Sequence, residues 1–198
     1  MIVVYLLFVL LGHVGDLCAQ KNQVGKFDEA FAGDWILTKV ESDNPLVVDL
    51  FDGYELMIKA EGVRLELWRY QVGEYGRFGQ VGAYFADGRG ETNTLEYPTG
   101  ARMVEASRTR AEHRKITIKY EASPAPMKEI MMDHSVPKRR SKWKESGVIE
   151  LSLSKDGERL VYEQRPVSPA NAAVSNYKNR LTFRRKTLQD LDAIEPAQ

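Results

Sequence analysis

"FAGDWILTK", residues 31–39, is where the chain changes character. Just before it, "FDEAFAGDW" places Phe27 and Phe31 four residues apart, on one side of a short helical turn. From Trp35 onward, Trp35-Ile36-Leu37-Thr38 opens a β-rich run that continues almost to the end. Gly33-Asp34-Trp35 sits at that junction. The fold depends on whether this triplet is an ordinary strand start or the opening of a closed sheet.

Working outward, "YELMIKAEGVRLELWRY" gives two alternating segments about a Glu61-Gly62 turn, with Tyr54, Leu56 and Ile58 on one and Val63, Leu65 and Leu67 on the other. "RFGQVGAYFADGRGETNT" reads as one strand weakened by Gly79 and Gly82 that reaches a polar turn at Asp87-Gly88-Arg89-Gly90. The next pair has Val104 and Ala106 as apolar positions, a turn near His113-Arg114, then Ile116, Ile118 and Tyr120 in alternation. "GVIELSLSKDGERLVYEQRPV" is a hairpin turning at Asp156-Gly157, and "NRLTFRRK" adds a final strand. This makes eight or nine short antiparallel strands joined mostly by tight local turns, with short helical segments at the two ends. The second of these contains Leu188, Leu191 and Ile194. Such a pattern predicts an all-β, up-and-down barrel in preference to a sandwich, whose sheets need crossovers. The segment 123–146, with Pro124, Pro126 and Pro137, interrupts the meander as an insertion.

The first 19 residues read as an export signal. Ten apolar residues run from Ile2 to Leu11, too few to span a bilayer, and a mixed segment follows that ends in Ala19. The expected mature chain is a single domain from residue 20 to 198, periplasmic or secreted. Lipid anchoring through Cys18 fits poorly, because Asp16 and Leu17 precede the cysteine where a small residue is wanted. Without Cys18 the mature chain has no cysteine, hence neither disulfides nor thiolate metal sites. Lys plus Arg and Asp plus Glu balance at 28 each, so no whole-chain field draws in nucleic acid or anionic membrane.

Gly33-Asp34-Trp35 at the head of a meander, after a helical turn, resembles the opening of the lipocalin or calycin superfamily. The chain also resembles small exported bacterial lipocalin-like proteins of unknown function. The resemblance implies that Gly33 and Trp35 belong to a structural motif at the closed end of the barrel, with an arginine of the last strand over the tryptophan. Arg185, in phase with Leu181 and Phe183, is the first candidate for that arginine and Arg184 the second. It further implies a cup lined by inward residues: Tyr54, Leu56, Leu65, Leu67, Tyr84, Ile118, Tyr120, Leu151, Tyr162 and Phe183.

Catalytic and metal chemistry find no support in the spacing. Asp133-His134-Ser135 are consecutive and cannot converge as a triad, and His113 and His134 have no metal-ligand spacing. "DGRGETNT" lacks the following helix that a phosphate loop needs, and reads as a polar hairpin tip. The function expected is non-catalytic binding of a small, largely apolar ligand in the cup, with no cofactor, no metal and no nucleic acid. The alternative is an envelope interaction module with a solid barrel. It would work through the basic stretch Lys138, Arg139, Arg140, Lys142 and Lys144, which could meet an anionic partner, or through the Trp68 and Tyr70 face. An enzyme on the same scaffold is a third reading.

Overall fold

The computed structural model describes residues 25–44, 48, 51–73, 76–96, 102–125, 144–167 and 177–192. The export signal, Cys18, Asp133-His134-Ser135 and the basic stretch up to Trp143 lie outside these residues. A single 3-10 turn, Glu29–Phe31, precedes ten strands: β1 (Gly33–Ser42), β2 (Tyr54–Glu61), β3 (Arg64–Gly73), β4 (Gly76–Phe85), β5 (Gly90–Glu96), β6 (Arg102–Glu112), β7 (Lys115–Pro124), β8 (Glu145–Leu153), β9 (Arg159–Val167) and β10 (Asn179–Arg185). A short helix, α1 (Leu188–Asp192), follows. Thr187 and Arg184 both bind the Asp190 carboxylate and so fix its start.

The sheet runs β4-β3-β2-β1-β10-β9-β8-β7-β6-β5, every described pair antiparallel. Neighbours in sequence are neighbours in space throughout, with β1 and β10 also paired. The two terminal strands, β4 and β5, meet at a seam that side chains bridge among the described residues. Asn93 of β5 accepts from the Ala83 N–H at 2.8 Å and donates to the Ala83 carbonyl at 3.2 Å, taking the place of one ladder rung. Gln80 donates to the Glu96 carbonyl at 3.0 Å. The barrel is therefore nearly closed.

Ten strands, not eight or nine, make this barrel, and the additional one is β5 within "GRGETNTLE". Only residues 86–89 form the turn there; Thr92, Asn93 and Thr94 belong to a strand. Its inward positions Glu91 and Asn93 are polar and find partners inside, so hydrophobic alternation is missing from a true strand. A related reversal affects β6, where Val104 and Ala106 are not the core positions. Glu105, Ser107 and Thr109 are buried instead, while Ala106 is exposed. The insertion is shorter than 123–146 as well, because β7 extends to Pro124 and β8 begins at Glu145.

Inside the barrel, two strand glycines seat tyrosine rings. A Cβ on Gly82 would lie 2.6 Å from the Tyr84 hydroxyl oxygen and 2.9 Å from its ring, and one on Gly147 would lie 2.6 Å from the Tyr120 hydroxyl. Each tyrosine thus lies against a glycine, with its hydroxyl in the space that a Cβ would fill. Gly82→Ala is expected to lose about 1–3 kcal/mol in urea denaturation, since Tyr84 has no exposed surface into which to swing. Gly62→Ala, where no neighbour lies within 4 Å of the added Cβ, is the comparison for backbone strain alone: its φ of +55° already costs an L residue something. A loss at Gly82 no larger than that at Gly62 would refute the steric account.

Candidate functional site

One end of the barrel is stoppered. The turns at 62–63, 86–89, 113–114 and 154–158 gather there with the 3-10 turn, whose Phe31 is fully buried. Trp35, also fully buried, donates its indole N–H to the Phe31 carbonyl at 3.1 Å. Arg185 lies with its guanidinium 4.5 Å from the Trp35 ring centroid. The same guanidinium donates to the carbonyls of Ala30, Ala32 and Gly157 at 2.7, 2.9 and 3.1 Å. Arg184 points away and pairs with Asp190. Gly33 is required for two reasons: its φ is +132°, and a Cβ would meet Arg185 at 2.8 Å.

Above the stopper the interior begins with a cluster of buried apolar residues. Leu56, Leu65, Leu67, Ile118, Leu151 and Phe183 converge with essentially no exposed surface, together with Ile116, Leu160 and Leu181. All six belong to the set expected to line a cup, and they share one buried cluster that forms the floor of the barrel. Of the remaining expected residues, Tyr84, Tyr120 and Tyr162 are buried and Tyr54 is half-buried, with Phe51 edge-on to it at 5.5 Å. Half-buried Met103 and Gln164 and exposed Gln71, inward by register, accompany them away from the stopper.

Between floor and mouth runs a polar layer that the sequence analysis did not anticipate. Arg69, only 7% exposed, donates to the Tyr84 hydroxyl at 2.8 Å, and Tyr84 donates to the Glu105 carboxylate at 2.9 Å. Burial opposes the charge of Arg69. Tyr84, Tyr162 and Glu105 outweigh that opposition, and its pKa stays above the ordinary arginine value. Burial pushes the Tyr84 hydroxyl well above its usual range, so it remains a donor to Glu105. Nearer the mouth, Tyr120 is raised in the same way by burial and by the nearby Glu145, and donates to that carboxylate at 2.8 Å. The signal for Arg69 was available, because it shares the period-two phase of Leu65 and Leu67.

Glu91 is a second buried acid. Its Oε1 accepts from Thr109 at 2.7 Å and Ser107 at 3.2 Å, while its Oε2 is enclosed without a partner. Burial raises its pKa. An acid whose folded pKa exceeds its unfolded value contributes stability that is fully present below the unfolded pKa and is lost as pH rises through the folded one. Glu91→Gln is therefore expected to flatten the stability profile above the ordinary carboxyl range and to raise the melting temperature at pH 8 by about 2–4 °C. A parallel, unshifted profile in a pH series of thermal melts would refute this.

The Trp68 and Tyr70 face lies on the outside of β3 but is not bare. The two rings stack at 6.1 Å, and Arg77 lies 3.6 Å over Tyr70 while bonding Glu55 at 2.9 Å. Glu55, buried on this outer face, also holds half-buried Lys186, whose side chain is largely covered, at 2.9 Å. Of the basic stretch, only Lys144 is described, and it is exposed.

No protein-family model matches the chain, and no curated protein matches it by sequence. Among solved structures it is similar to apo Caenorhabditis elegans lipid binding protein 8, at 15% identity and a TM-score of 0.45, covering 79% of this chain and 96% of that one. It is also similar to zebrafish ileal bile acid-binding protein complexed with cholic acid, at 14% identity and a TM-score of 0.46, covering 79% of this chain and 99% of that one. By its own strand order and register, the chain is an all-β, nearly closed, antiparallel up-and-down barrel.

Proposed function

We propose that this is a non-catalytic barrel, exported from the cell, that binds a small, largely apolar molecule at the end away from Trp35. The observation that supports this reading is the difference between the two ends. The Trp35 end is stoppered by side chains and main-chain bonds, whereas at the other end the inward residues Tyr54, Gln71, Met103 and Gln164 retain exposed surface. Aromatic and thioether groups there offer apolar contact with a few polar atoms for orientation. The floor residues shape the bottom of that site from beneath.

Titration with the neutral dye Nile red tests it. Saturable, blue-shifted emission is expected, and Met103→Trp, which fills the mouth at a half-buried position, should weaken binding about tenfold or more. Absence of saturable binding would overturn the reading. The second reading, a solid barrel that works through its outer surface, is favoured by the full burial of Leu65, Leu67, Ile116, Ile118 and Leu151. On that reading the dye does not saturate, or Met103→Trp leaves its binding unchanged.

A further inference from the structure

We propose that the polar layer beneath the mouth makes the barrel selective for amphiphiles with an uncharged, oxygen-bearing head, a hydroxyl or a carbonyl, and turns away carboxylates. The inference rests on the ligand-binding reading above and specifies its ligand class.

Above the stopper, the inward positions of the described strands carry one cation, Arg69, and three carboxyls, Glu91, Glu105 and Glu145. A lone buried arginine would attract a carboxylate head. Here that attraction is already used: Arg69 is joined to Glu105 through Tyr84 by bonds of 2.8 and 2.9 Å, a chain that is closed and neutral overall. A carboxylate arriving beside it would face Glu105 directly and Glu145 at the mouth, with no second cation to share. Moving such a charge out of water without a free partner is costly.

An ammonium head carries donors only, and the Glu105 and Glu145 carboxylates that could receive them already accept from Tyr84 and Tyr120. What the layer does leave open is a donor. The Arg69 Nε–H is enclosed and has no acceptor, although the residue as a whole is more than nine-tenths buried. An uncharged oxygen delivered there gains a hydrogen bond that replaces no existing protein bond, after a small shift of the side chains around it. The Tyr120 and Gln164 pair at 3.4 Å places further polar atoms along the route from the mouth. Hydroxyl and carbonyl heads fit these demands together; carboxylate and ammonium each fail one of them.

The test is competition against bound Nile red at pH 7.5 by three ten-carbon chains that differ only in the head: decan-1-ol, decanoate and decylammonium. Decan-1-ol is expected to displace the dye at a concentration about tenfold below either charged competitor. A ranking with decanoate equal or first, or no difference among the three, overturns the inference while leaving the ligand-binding reading intact. If Nile red itself does not bind, the underlying reading fails and this one with it. Glu105→Gln removes the charge that satisfies Arg69, and should move decanoate up by about tenfold relative to decan-1-ol. An unchanged ranking in that variant, once its native circular dichroism is verified, also overturns the proposal; should the variant not fold, the wild-type ranking decides.

Discussion

Replacing Trp35 by alanine is expected to destabilise the barrel by about 3–5 kcal/mol, the range for removing a large, fully buried aromatic side chain. Three losses coincide. The indole leaves a cavity beneath the floor, the Phe31 carbonyl loses the indole N–H at 3.1 Å, and the Arg185 guanidinium loses the ring it lies against. Arg185 also ties Ala30 and Ala32, before the first strand, to Gly157, in the turn between β8 and β9. The stopper therefore joins the segment just before β1 to two late elements. Urea denaturation of Trp35→Ala should show a lower midpoint with an unchanged slope. Arg185→Lys is the companion: lysine keeps the charge but cannot present a planar fork to three carbonyls, so it should lose part of the same stability. A loss below about 1 kcal/mol for Trp35→Ala would show that the stopper is dispensable.

The closed end was legible from sequence because its elements are local and chemically distinctive. A glycine in a positive-φ conformation, a tryptophan two residues on, and an in-phase arginine on the last strand can be found by spacing alone. The hairpins at Gly62 and Gly157 were legible for the same reason: each turn residue has a positive φ, of +55° and +77°. What escaped was the polar interior. Hydrophobic alternation assumes that the inward face is apolar, and β5 and β6 reverse it: Glu91, Asn93, Glu105, Ser107 and Thr109 point in, with Ser107 and Thr109 bonding Glu91, Asn93 bonding the seam and Tyr84 bonding Glu105. Their partners are far apart in sequence, Arg69 with Glu105 above all, so no local window contains both halves of the pattern. The apolar strand cores need only periodicity; the polar layer needs the closed sheet.

That layer yields the second large effect. Glu105→Ala is expected to cost about 3–5 kcal/mol, because it leaves the buried Arg69 charge without its counter-charge and the Tyr84 hydroxyl without its acceptor. Arg69→Met should be costly in the mirror sense, stranding Glu105. The informative variant combines Arg69→Met with Glu105→Leu in a Tyr84→Phe background, where no buried hydroxyl is left without a partner. Apolar residues of similar volume then replace the whole charged pair, and the double variant should recover most of the stability lost by either single change. Denaturation midpoints of the four proteins in this cycle measure the coupling, and strict additivity would show that the pair does not act as a unit. Stability and selectivity then part company. A buried ion pair that an apolar pair can replace contributes little net stability, so a recovered double variant would locate the value of Arg69 and Glu105 in discrimination. In that variant the preference for decan-1-ol over decanoate should shrink along with the affinity for decan-1-ol, since the Nε–H donor has gone while the acidic mouth at Glu145 remains.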